Sequence, residues 1–159
     1  MYQLIGAYEC KIDDKGRMRL PSGLIGQLGE REAYTFVVNR GFEKCLMLYI
    51  EEVWEKTSAE VNRLNLYNKK HRDFVRYFYR GAQKVVMDSA DRILIGKLLL
   101  DYAGIDKEVV LSAYNDRIEI WSKTEYERML GEEPDDFSDL AQEVLGGGSL
   151  FNGSDDELS

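Results

Sequence analysis

Two short stretches, Asp13-Asp14-Lys15-Gly16-Arg17 and, 75 residues later, Asp88-Ser89-Ala90-Asp91-Arg92, hold the residues best suited to chemistry. In the first, Asp13 can accept hydrogen bonds from the N–H groups of the turn behind it, and Gly16 supplies the positive φ such turns need. A backbone pinned in this way holds Lys15, Arg17 and Arg19 outward on a rigid support. A guanidinium so presented can grip a phosphate through two N–H groups or read N7 and O6 of guanine. A single stretch of this kind is also compatible with a plain turn and a solvated arginine. Its duplication in register within one chain weighs against that reading. Asp13-Asp14 can in principle form an acid/base pair, but adjacent residues at a turn seldom aim at one substrate atom. His71, the only histidine, falls in a basic helical segment where a solvated role is expected. The sequence contains no His-Glu-x-x-His, Walker loop, dinucleotide fingerprint or metal-type cysteine spacing. No catalytic residue, metal, cofactor or small-molecule substrate is therefore expected.

The elements around these turns repeat as well. Gly6/Gly81, Ala7/Ala82, Asp13/Asp88 and Arg17/Arg92 are identical at an offset of 75, and Gly29 matches Gly104. Further on the offset falls to 72, where Leu46, Leu48 and Tyr49 align with Ile118, Ile120 and Trp121. Each copy reads as a strand (near 6–12 and 81–87), a turn, and a short hairpin partner (18–20 and 93–95). Met18-Arg19-Leu20 alternates as a half-buried strand should. A short helix follows, over 22–28 and 97–103, with Pro21 at the start of the first. Gly29 and Gly104 stand where a helix takes a left-handed stop. Two further strands (34–38 with 46–49, and 109–113 with 117–121) lead to a closing helix from about Glu51 or Lys123.

Between the copies, Phe74 and Phe78, like Val75 and Tyr79, are spaced for one helical face. Lys69, Arg72, Arg76 and Arg80 form a basic stripe beside them. Such a stripe suits a solvated face, a subunit or tail contact, or phosphate. The domains expected are a first module at 1–64, a connecting helix at 65–80, a second module at 81–130 and an acidic, flexible tail at 131–159.

The net charge of −8 looks unfavourable for a partner rich in phosphate, but it is unevenly placed. Residues 131–159 carry nine of the 29 acids and no lysine or arginine, leaving 21 bases against 20 acids in residues 1–130. Acidic segments of this kind usually solvate themselves; a helix at 137–145 docking on a neighbouring subunit is the alternative. Two cysteines, Cys10 and Cys45, make no disulfide framework, and no apolar run reaches membrane-spanning length. The first residues lack a secretory signal. A cytoplasmic location is expected.

With Leu20-Pro21, Leu46-Met47-Leu48-Tyr49 leading to Trp54, the approach from Arg76 to Gly81, and Lys107-Glu108-Val109, the Asp-x-x-Gly-Arg turn and its Asp-x-x-x-Arg repeat resemble the MraZ family, which carries two Asp-x-x-Gly-Arg motifs in tandem, over roughly residues 1–130. The resemblance implies an α+β, mainly β fold of the AbrB/SpoVT type. In it, tandem swapped-hairpin modules form a pseudo-two-fold small barrel with peripheral helices. It also implies a sequence-specific, nucleoid-associated DNA-binding regulator that assembles as a homo-oligomeric ring. Its target would be direct repeats in double-stranded DNA upstream of the division and cell-wall gene cluster. By the same resemblance Arg17 is the leading DNA contact, with Lys15, Gly16, Arg19 and Arg92 beside it and Asp13 and Asp88 holding the turns. The second copy departs from the family pattern at Asp91, where glycine is usual, and at Gly96, where proline is usual. A carboxylate there would weaken the local positive field, so the first turn is the stronger candidate. The rival reading is a non-catalytic protein-interaction or antitoxin-like module.

Overall fold

Alternation and apolar runs along the strands decide where each lies. A computed structural model describes residues 2–131 and 136–146, in two compact units, Met1–Tyr126 and Glu127–Ser159. The first strand, β1 (Leu4–Lys11), alternates between sheltered and exposed residues, as a strand with one wet face must. By contrast β3 (Thr35–Arg40) and β4 (Leu46–Ile50) are buried almost throughout; LMLYI is apolar from end to end, and β3 buries Phe36-Val37-Val38 together with the polar Asn39. Their counterparts β7 (Glu108–Asn115) and β8 (Arg117–Ser122) complete the middle of a six-stranded antiparallel sheet, ordered β1-β7-β8-β4-β3-β5, with β5 spanning Gln83–Val86.

Each copy of the repeat borrows its outermost strand from the other. β1 pairs with β7 along its whole length, from Leu4 opposite Asn115 to Lys11 opposite Glu108. β5 pairs with β3, Phe36 lying opposite Val85. The remaining strands, β2 (Arg17–Arg19) and β6 (Arg92–Leu94), form a separate two-stranded ribbon. This corrects the expectation that 18–20 and 93–95 pair mainly with the strands preceding them in their own copies. Within the first copy the contact narrows to an Ile12–Met18 bridge and the hydrogen bond from Asp13 N to Arg17 O. A four-residue reversal leaves the strands free to diverge beyond the turn, and each finds its ladder in the other copy. The six-stranded sheet is also open. β1 and β5 are its edges and no ladder joins them among the described residues, so a continuous closed barrel is not found.

Short helices seal the core. α1 (Ser22–Gln27) and α4 (Lys97–Tyr102) lie 75 residues apart, as the repeat predicts, and insert Leu24 and Leu99 into the core that holds Met18, Ile93, Leu48 and Leu111. Gly29 and Gly104 both take positive φ (81° and 65°), so the expected left-handed stops are present. α2 (Glu51–Asn62) places Trp54 against Tyr49, and α3 (Lys69–Arg80) adds Phe78, whose ring stacks on Trp54 at 5.5 Å. α3 is pinned further by buried Asn39, which donates to Phe78 O at 2.7 Å, and by Arg40, which donates to Tyr77 O. α5 runs over Lys123–Gly131.

In the second unit α6 (Phe137–Leu145) is a helix capped by the Asp136 side chain, which accepts from Asp139 N. Residues 132–135 and 147–159 of the expected acidic tail lie outside the described residues. Among the described residues no helix is long and apolar enough to cross a membrane.

Candidate nucleic-acid interface

The two turns are built alike, atom for atom. Asp13 Oδ1 accepts from Lys15 N (3.0 Å) and Arg17 N (2.9 Å), while its Oδ2 accepts from Arg17 Nε at 2.8 Å. Asp88 Oδ1 accepts from Ala90 N and Arg92 N, both at 2.9 Å, and its Oδ2 from Arg92 Nε at 3.0 Å. Asp91 takes φ 62° where Gly16 takes 86°. The second turn thus survives the loss of glycine, as aspartate's tolerance of the left-handed region allows. Each arginine is oriented through its Nε edge by its own aspartate, and each side chain keeps about a third of its surface exposed, 33% for Arg17 and 32% for Arg92.

Each turn also braces the other. Leu20 N donates to Asp91 O at 2.8 Å, and Ile95 N to Gly16 O at 2.9 Å. Between these bonds the ladder sets Arg17 opposite Leu94, Met18 opposite Ile93 and Arg19 opposite Arg92. Met18 and Ile93 face inward and are fully buried. The alternation leaves Arg17, Arg19, Arg92 and Leu94 together on the outward face of one ribbon. Lys15 and Gly16 sit at the first turn beside it. The structure therefore brings the expected Lys15, Arg17, Arg19 and Arg92 into a single surface, with Gly16 buried beneath it against the second turn. It adds Leu94, which stands outside the repeat's apolar pattern. The signal was present, because Ile93-Leu94-Ile95 breaks the alternation that Met18-Arg19-Leu20 keeps.

The N–H of Arg17 holds the Asp13 carboxyl below its ordinary carboxylate range, and the Arg17 side chain and Lys15 N–H reinforce the effect. Asp88 is lowered in the same way, first by the N–H of Arg92, then by that of Ala90 and by the Arg92 side chain. Because the folded pKa values lie below the unfolded value of about 3.9, this stabilisation is present above that pH and is lost as pH falls through the folded values. Asp13→Asn with Asp88→Asn should therefore flatten the fall in melting temperature as pH drops below about 4. An unchanged acid limb in the double variant would show that these carboxylates do not hold the turns.

The other titratable candidates make local contacts. His71 Nδ1 accepts from Asn65 N at 3.1 Å, tying down the loop before α3. In the basic stripe, Lys69 and Arg76 pair with Asp73, and Arg72 donates to Leu66 O. Cys10 and Cys45 are free thiols whose pKa values burial raises to about 11 and about 12, so neither is a thiolate at neutral pH. Among the described residues no group of three or more acidic, histidine or cysteine side chains is placed to hold a metal ion.

An α+β protein built from two copies that exchange strands, with paired Asp-Arg turns fused into one arginine-faced ribbon, is the class defined by this geometry. The family model described as "MraZ protein, putative antitoxin-like" matches the chain twice, over residues 4–77 and 78–146. The chain is 46% identical over 147 residues to a protein of Christiangramia forsetii named "Transcriptional regulator MraZ", a match covering 92% of this chain and 95% of that one. Proteins of the same name from Flavobacterium psychrophilum and Cytophaga hutchinsonii are 40% and 36% identical. Those matches cover 99% and 88% of this chain and 98% and 93% of theirs. The chain belongs to the MraZ family.

Proposed function

We propose that this protein is a transcriptional regulator that binds double-stranded DNA sequence-specifically through the β2–β6 ribbon. The observation that carries the reading is the ribbon's division of labour, with Met18 and Ile93 turned into the core and three arginines turned out. A two-stranded ribbon fits the major groove, and oriented arginines are the commonest readers of guanine. Arg17 and Arg92 contact base edges or phosphates, Arg19 and Lys15 supply further positive charge, and Gly16 lets the first turn close against the second. Asp13 and Asp88 hold the turns. The relatives' name supports the regulatory role. On this reading the chain is a swapped-hairpin pseudo-barrel of two modules, 1–64 and 81–130, joined through 65–80 and followed by an acidic segment at 131–159. It acts in the cytoplasm at the nucleoid as a homo-oligomeric ring on direct repeats, in the promoter of a division and cell-wall gene cluster. It is not an enzyme.

A gel-shift titration on DNA upstream of this gene, repeated across salt concentrations, tests the reading. Binding should fall log-linearly with salt, with a slope set by the number of phosphates neutralised. Light scattering on the same sample should give a mass well above a dimer, because one ribbon makes a weak contact and useful affinity needs several. Salt-independent binding, or none, would favour the antitoxin-like, protein-binding alternative. That reading draws on the family description and on the exposed aromatics Phe42 and Tyr77.

A further inference from the structure

Three of the four outward corners of the β2–β6 ribbon are arginines, and the fourth is Leu94, more than half exposed at 53%. At the repeat offset of 75, Leu94 occupies the position held by Arg19 in the first copy. The difference leaves a large apolar side chain on the face proposed to meet DNA, where nothing in the core requires one. Its inward neighbour Ile93 already fills the core position and is fully buried.

Leu94 also lies beside the first turn. A Cβ added to Gly16 would lie 3.7 Å from Leu94 Cδ1 and 3.7 Å from Leu100 Cδ1, so the leucine flanks the turn that carries Arg17. Leu94 and Arg17 are direct cross-strand partners, which places their backbones about 5 Å apart. Successive outward residues on one strand lie about 7 Å apart. Base pairs in duplex DNA rise 3.4 Å. A base touched by Leu94 therefore lies within about two base pairs of one touched by Arg17.

In the major groove only one group offers apolar surface to such a side chain, the 5-methyl of thymine. We propose that Leu94 is a specificity-determining residue that reads a thymine methyl within about two base pairs of the guanine or phosphate held by Arg17. The inference rests on the DNA-binding reading above. It adds that the second turn, despite Ala90 and Asp91 in place of Lys15 and Gly16, contributes sequence information through apolar contact.

The test uses the full-length protein and duplexes carrying a randomised window. Duplexes recovered by the wild-type protein define a preferred site, and Leu94→Ala and Leu94→Arg are passed through the same selection. With Leu94→Ala one thymine should become degenerate while the neighbouring preferences persist; with Leu94→Arg that thymine should give way to guanine. On the recovered duplex, replacing that thymine by deoxyuridine removes only the methyl. This should weaken the wild-type protein about fourfold per contact, the value of one buried methyl, and leave Leu94→Ala unaffected. Equal losses for both proteins, or no thymine preference in the wild-type selection, would overturn the proposal. Failure of the DNA reading itself looks different, since the wild type would then enrich no sequence at all. Leu94 is exposed, so circular dichroism of each variant should match the wild type.

Discussion

Replacing Arg17 with alanine should reduce affinity for the upstream DNA by about 1–3 kcal/mol per contact, or about 5- to 150-fold, with avidity in an oligomer deepening the loss. The side chain is one-third exposed and pairs with Asp13, itself at the surface, so the fold should barely register the change. Arg17→Lys should not rescue binding, because an ammonium cannot reproduce the planar fork that Asp13 orients through Nε. Anisotropy titrations beside thermal melts separate these effects. Wild-type affinity in Arg17→Ala would remove the first turn from the interface.

A larger effect on the fold is expected at Gly16. Its φ of 86° is one that β-branched residues avoid, and a Cβ there would sit 2.8 Å from Ile95 O, a backbone atom that cannot swing aside. Gly16→Val should cost about 2–4 kcal/mol, from left-handed strain and overpacking together. It should also loosen the bond from Ile95 N to Gly16 O that ties the first turn to the second. For a chain of this size that corresponds to a fall of roughly 5–15 °C in melting temperature, with DNA binding lost alongside. Asp91→Gly is the converse, since it relieves the left-handed strain of a non-glycine residue at φ 62° and should be neutral or stabilising. A Gly16→Val protein that melts with the wild type would mean the two turns are not mutually braced.

What could be read from the residues was local. The Asp-x-x-x-Arg spacing marked both turns, Gly29 and Gly104 marked two helix ends, and the 75-residue offset put α1 and α4 in equivalent places. These features depend on a few consecutive dihedrals and on short-range hydrogen bonds. Pairing partners do not. Nothing in the alternation of Met18-Arg19-Leu20 says that its ladder lies 75 residues away, because a strand exposes the same N–H and C=O groups to any neighbour. The Asp13–Arg17 side-chain pair was also out of reach, since Asp13 already had the turn's N–H groups to satisfy and the second carboxylate oxygen had no assigned role. Leu94 was missed for a related reason. An apolar residue in a short strand reads as core until the register shows which face it occupies.

The exchange of β1 and β5 between the two copies has a consequence for symmetry. Two half-proteins assembled from separate identical chains would come apart on dilution, and every turn would have to be the same. Tied in one chain, the halves keep each other's company at any concentration, and their turns are at liberty to differ. They have done so at Lys15 and Ala90, Gly16 and Asp91, and Arg19 and Leu94. The ribbon consequently has a head and a tail. If this ribbon reads DNA as proposed, it would lie along a duplex in only one direction, so an array of such ribbons facing the same way around an assembly would be matched by sites that all point the same way.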